Sequence, residues 1–418
     1  MSEPERPQEG DAEQAPGSQV PAERTGGDYA PSVAERLALF QRAGGIATPL
    51  LTAAFAFFVG GLVVLVTTGK NPLRTYQAIF DGSGLNWLFP WITSEERTLA
   101  AFNLQYTLLL TTPLILTGLA VAFAFRCGMF NIGGQGQYTV GAVVAVWVGS
   151  SFAGMAGVAH ALLAIVLAVL AGALWAGIAG LLKATVGAHE VISTIMLNWI
   201  ALWVGSFLFT LGGPLQDSDQ PGVPVSGSVQ EGAKLLVFWG EPELQGLHIG
   251  LFVAIGALVA FWVMLNRTTL GYEVRAVGFN PEAARYGGIS VARNYFLAMA
   301  ISGAFAGLAA SLDVLGWQFR ISETDVQISQ IGFIGIAVAL LGRNTAVGIG
   351  FAALLFGSLL NGASTRNLDP EIFKPELAGN LTLLIQGLIV LFVGADVLVL
   401  YLWQLRRRVK LRVARAGT

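Results

Sequence analysis

The chain has 418 residues, 54% hydrophobic and only 12% charged, with a formal net charge of −2. A soluble domain carries about 25% charged residues, so an ordinary water-soluble fold is excluded, and no nucleic-acid partner is expected. A single cysteine, Cys127, excludes an internal disulfide or a cysteine metal cluster, and His160, His189 and His248 lack ligand spacing, so no metal or other cofactor is expected in this chain.

Residues 1–45 are rich in Pro, Glu, Gln and Gly and cannot bury enough apolar surface to offset the entropy of ordering. They are predicted to be a disordered tail, with no signal-peptide pattern, so the first apolar run should stay as an uncleaved anchor. Uncharged runs follow at 46–67, 99–125, 129–149, 159–182, 191–211, 247–265, 295–312, 326–342, 347–363 and 377–403. Most approach the ~20 residues that cross hydrocarbon as a helix. The prediction is an all-α polytopic bundle of about ten helices over 46–405, the second interrupted at Pro113, the short eighth and ninth tilted or re-entrant. Seventeen of the 24 Lys and Arg residues fall on the side of the termini, including the basic tail 406–418, so both termini are expected in the cytoplasm.

Three polar faces stand out in the apolar runs. Asn131, Gln135 and Tyr138 are spaced i, i+4, i+7 and would share one helical face. Thr194 and Asn198 make a second, and Ser358 and Asn361 a third. They suit either helix–helix hydrogen bonding or a path for an uncharged, hydrogen-bonding solute, with Trp199 able to stack on a ring. Glu190, after His189, sits well at a helix N-terminus. Asp396 is the one acid well inside a predicted span and by default a functional candidate. Gly303 and Gly307 form a G-x-x-x-G close-packing pattern.

The connection at 266–294 is long enough to hold structure. Asn280 can cap a helix, Pro281 suits its first position, Glu282 favours its positive end and Gly287 and Gly288 can stop it, predicting a short cytoplasmic helix at Pro281–Tyr286. Arg275 and Arg285 near its ends and the small Ala283 and Ala284 suit either a solvated connector or a docking helix. No phosphate-binding loop pattern occurs, so any energy source lies outside the chain.

Three segments resemble the permeases of bacterial ABC importers for simple sugars and nucleosides, relatives of the ribose and branched-chain amino acid permeases: 128–136 (GMFNIGGQG), 187–198 (GAHEVISTIMLN) and 275–289 (RAVGFNPEAARYGGI). The resemblance covers roughly residues 50 to 405 and is closest to the nucleoside branch. It implies that Arg275, Gly278, Asn280, Pro281, Glu282, Ala283, Ala284, Arg285 and Gly287 belong to a coupling loop docking on a cytoplasmic ATP-binding subunit, where ATP and Mg would bind. It further implies a second permease subunit, an extracytoplasmic solute-binding protein or lipoprotein delivering cargo near loop 212–246, and residence in the bacterial inner membrane. An ion-coupled carrier would need more buried ionisable groups, and an intramembrane enzyme a cluster of His, Cys, Asp or Glu.

Overall fold

The computed structural model describes residue 50 and residues 53–66, 69–241, 246–364, 380, 383–388 and 391. The predicted tail 1–45, Asp396 with most of the last predicted span, and the tail 406–418 lie outside the described residues. Helix α1 (Ala53–Val66) leads to α2 (Pro72–Gly82), which Asn71 caps by accepting from the Leu73 N–H at 2.9 Å. Helix α3 (Ser94–Arg126) starts at a capping box between Thr93 and Glu96 and runs straight through Pro113. The proline does not interrupt it. The Thr111, Thr112 and Thr117 hydroxyls donate to the carbonyls of Thr107, Leu108 and Pro113, supplying local polar contacts around the missing N–H. Every side chain from Thr111 to Ala124 is buried, making α3 the central post of the bundle.

The chain continues through α4 (Gly134–Ser150), α5 (Gly157–Val186) and α6 (Glu190–Phe209), a loop with a small hairpin of β1 (Val237–Trp239) and β2 (Leu247–His248), and α7 (Gly250–Arg267). Then come α8 (Thr269–Phe279), α9 (Pro281–Tyr286), α10 (Val291–Asp313) with a π-helical turn at Val314–Gln318, α11 (Glu323–Ile328), α12 (Ile331–Leu341) and α13 (Ala346–Gly362). Among the described residues six helical stretches are long and apolar enough to cross a membrane: α3, α5, α6, α7, α10 with its π turn, and Glu323–Leu341 taken whole. Helices α1 and α13 are shorter apolar pieces.

Three departures from the predicted spans matter. The third run becomes helix only at Gly134, so residues 129–133 enter the bundle as a turn. The seventh helix runs past Asp313, which had ended the uncharged run. The eighth is two helices broken at Ser329 and Gln330. Gly303 and Gly307 do pack a helix closely, and that helix is α5 of the same chain. A Cβ on Gly172 would lie 2.4 Å from the Gly303 carbonyl oxygen, and one on Gly307 would lie 2.3 Å from that of Ala168. Lipid tails give apolar side chains no reason to leave them, so close backbone packing of this kind holds membrane helices together.

Candidate functional site

The turn before α4 carries its own wiring. The Asn131 amide donates to Ser302 Oγ at 2.7 Å and Gln137 Oε1 at 2.9 Å, while its Oδ1 accepts from the Gly133 N–H at 2.8 Å. Asn131 therefore precedes the helix and shapes its start instead of sharing a helical face with Gln135 and Tyr138. From α6, Asn198 accepts from the Gly136 N–H at 2.8 Å and donates to the Ile132 carbonyl at 2.9 Å. A side chain on another helix thus does the work of a cap, satisfying a backbone donor that lipid could not. Thr194, one turn earlier on α6, is buried beside Gly133 and donates to the Glu190 carbonyl at 2.8 Å.

The broken helix meets α4 at this level. Gln135 Oε1 accepts from the Gly332 N–H at 2.9 Å, and a Cβ on Gly332 would fall 2.3 Å from the Gln135 nitrogen. On the other side of the break, Val326 of α11 packs on Gly205 of α6, where an added Cβ would meet it at 3.0 Å.

A second polar node lies one turn further along α4. Asp313 is 1% exposed and accepts from the Tyr138 hydroxyl, from Trp317 Nε1–H and from Gln318 Nε2 at 2.8 Å. Three donors on one carboxylate offset the cost of burying it. Two come from the π turn, an irregularity that recurs at functional sites. Trp317 also meets Tyr106 edge to face at 6.1 Å. The loop between α6 and α7 straps this turn: the N–H groups of Leu235 and Val229 donate to the Leu315 and Phe319 carbonyls at 2.9 and 2.7 Å. In the hairpin, His248 is buried against Gly316 and Gly250, and burial pushes its imidazole down to about 4.

Beyond α8, α9 spans Pro281–Tyr286 as the capping pattern predicts, with Asn280 Oδ1 accepting from the Glu282 and Ala283 N–H groups at 3.0 and 3.1 Å. The left-handed residue that turns the chain away is Gly288, at φ +80°. Ala284 is buried while Ala283 and Arg285 are exposed, and Phe279 and Tyr286 stand out at 91% and 95% exposure. Arg275 folds along α8, its Nε donating to the Gly271 carbonyl at 3.2 Å. Helix α8 rests on the turn after α3. A Cβ on Gly278 would lie 2.4 Å from the Arg126 carbonyl oxygen, and one on Gly128, which is at φ +73°, would lie 3.2 Å from Gly278 Cα. Two of the sequence segments singled out above, far apart in the chain, are therefore in backbone contact.

The family described as branched-chain amino acid transport system / permease component matches residues 103–394. The chain belongs to this family. This permease is similar to the guanosine ABC transporter permease protein NupP of Bacillus subtilis, 38% identical over 360 residues, which cover 86% of this chain and 95% of the relative. It is similar to the nucleoside ABC transporter permease protein NupB of Lactococcus lactis subsp. cremoris, 33% identical over 340 residues covering 79% and 87%. It also resembles the glucose ABC transporter permease protein TsgB13 of Haloferax volcanii, 36% identical over 352 residues covering 82% and 86%. No solved structure matches the chain.

The permease fold gathers some of the predicted pathway residues and separates others. Asn131, Gln135, Thr194 and Asn198 surround the start of α4, and Tyr138 sits one turn beyond. Asn361 is held against α3 instead, donating to the Asn103 carbonyl at 2.8 Å and to Thr107 Oγ1 at 3.0 Å, and Ser358 bonds back to the Leu354 carbonyl. Trp199 lies on the outer surface of α6, 56% exposed, one residue round from the buried Asn198. Asp313 stands one residue past an uncharged run, so nothing local in the sequence marks it as a buried acid; its partner Tyr138 is the signal that points to it.

Proposed function

We propose that this permease forms the membrane-spanning part of an ATP-driven importer for nucleosides. What carries the reading is α9, a capped helix between two spans that presents bare aromatic and charged side chains and rests through α8 on the turn leading into α4. Such a surface suits a groove on a cytoplasmic ATP-binding subunit, where ATP and Mg would bind. Closure of that subunit would push on α8 and so on the turn at Gly128, which leads through Asn131 to the polar site. Both termini lie in the cytoplasm, a second permease subunit completes the pore, and an extracytoplasmic binding protein or lipoprotein delivers the solute. The nucleoside preference draws on the likeness to NupP and NupB over most of their lengths. A simple sugar is the second reading, favoured by TsgB13.

The test is uptake of labelled guanosine, adenosine, uridine and ribose by cells with and without the gene. Loss of nucleoside uptake alone supports the proposal. Loss of ribose uptake alone moves the protein to the sugar reading, and no loss of any defeats both.

A further inference from the structure

The break between α11 and α12 falls near the middle of the bilayer. Helix α12 has 11 residues, about 16 Å at 1.5 Å per residue, and ends where Arg126, at the cytoplasmic end of α3, donates to the Asn344 carbonyl. Its first residue therefore sits about half-way across a hydrocarbon core of roughly 30 Å. At that depth Gln327 and Gln330 are exposed on the surface of the chain and Ser329 is half-exposed. Lipid cannot solvate such groups or a broken backbone, so irregular, polar chain at this depth lines water or lies against protein.

The break also gathers buried donors without acceptors. The N-cap residue Gln330 does not cap α12 with its own side chain; the side chain that reaches the first turn is Gln135 of α4, on the Gly332 N–H, and the positive dipole end of α12 points into the break. Gln135, 7% exposed, anchors its Oε1 on the Gly332 N–H while its Nε2 has no hydrogen-bond partner among the described residues. Ser329 Oγ is likewise unpartnered among them. A buried donor left unsatisfied costs roughly 1–3 kcal/mol, a cost that a ligand acceptor removes. One turn along, Phe333 is 44% exposed and offers a ring face. On the α11 side, Glu323 and Asp325 outnumber Arg320, which disfavours an anion approaching from outside.

We infer that the α11–α12 break, with Ser329, Gln330, Phe333 and the Nε2 of Gln135, is the mid-membrane solute site, taking a neutral heterocycle that bears hydrogen-bond acceptors and excluding its phosphorylated forms. Phe333 stacks on the ring, while Gln135, Ser329 and the start of α12 donate to its acceptors. The site faces the water path between this permease and its partner subunit. This rests on the permease reading and adds to it where on the chain the solute is read.

The experiment places a cysteine at Gln330 or Ser329 in the complete transporter in membrane vesicles, with Leu170→Cys on the exposed face of α5 as the control. The native Cys127 is buried and stays in place. The probe is the charged, water-borne reagent 2-sulfonatoethyl methanethiosulfonate. At Gln330→Cys it should react, stop guanosine uptake, and react at least severalfold more slowly with guanosine present; at Leu170→Cys it should leave uptake unchanged. Phe333→Ala should lower guanosine transport efficiency about tenfold, the scale of one base–aromatic stack, while Phe333→Tyr restores it and guanosine monophosphate competes with neither. No reaction at Gln330→Cys, or reaction without effect on transport, overturns the inference. If the wild-type transporter moves ribose and ignores guanosine, the nucleoside assignment fails, and the contrast between positions 330 and 170, read with ribose, still decides the site.

Discussion

The contact between Gly278 and the turn at Gly128 joins α8, which carries α9, to the turn before α4, and Gly278→Ala tests whether the proposed coupling passes through it. The added Cβ would start 2.4 Å from the Arg126 carbonyl oxygen and 3.0 Å from the Cys127 carbonyl carbon. Ordinary contact needs about 3.5 Å, so α8 must move away by about 1 Å. Backbone lies on the other side of the contact, so no side chain can rotate to absorb the change, and overpacking of this kind costs about 1–3 kcal/mol. That is enough to shift the resting position of α8 by a large factor without unfolding a bundle whose core lies around α3. In proteoliposomes containing the complete transporter, solute moved per ATP hydrolysed should fall several-fold, while the unfolding temperature of the permease drops by only a few degrees. An unchanged ratio of transport to hydrolysis would refute the idea that force passes through this glycine contact. A collapse in stability would show instead that α8 is part of the core.

Other perturbations follow from single contacts. Asp313→Asn takes the charged acceptor from Tyr138, Trp317 and Gln318 and turns an amide NH2 towards at least one of these donors, so it should destabilise the detergent-solubilised protein by about 1–3 kcal/mol; an unchanged melting midpoint would show the node carries no stability. Because burial holds the His248 imidazole at about 4 against an ordinary 6.5, the unfolded chain binds the extra proton first as pH falls. Stability should drop between pH 6.5 and 4, by up to about 3 kcal/mol, and His248→Gln should flatten that slope. Burial pushes the Cys127 thiol up to about 12, so maleimide at pH 7.5 should not modify this sole cysteine until α8 is displaced, which makes it a reporter for Gly278→Ala. Ala283→Trp should block association with the ATP-binding subunit while leaving the melting midpoint intact, whereas Ala284→Trp, at a buried position, should lower the midpoint first.

The helical architecture was legible because hydrocarbon imposes a length and a polarity on every span, and α9 because Asn280, Pro281 and Glu282 each make a local choice that agrees with the others. Those signals act within a few residues. What stayed hidden was set by contacts between distant segments. The helical spacing of Asn131, Gln135 and Tyr138 looked like one face, yet Asn131 bonds to Gln137, Gly133 and Ser302 and holds the chain out of the helix until Gly134. The run at 326–342 read as one short span because Ser329 and Gln330 are uncharged, and nothing local says that the ladder is cut there. A charge ordinarily ends a span, yet three donors let the helix of α10 and its π turn carry Asp313 inside. Nothing local marks α8 as a helix, because its buried residues Val274 and Val277 face α3 and α10, which are remote in sequence.

The seam between α5 and α10 divides the labour of the bundle. Gly172, Gly303 and Gly307 leave no space even for a methyl group, so these two helices meet backbone to backbone and form the tightest frame for the rest to move against. A transport cycle must then place its hinges elsewhere, and the cut between α11 and α12 is where the backbone already lacks a continuous ladder. Natural or laboratory evolution of a new cargo should accordingly tolerate change around positions 329–333 while leaving the glycine seam untouched, since widening the seam would loosen the frame against which everything else moves.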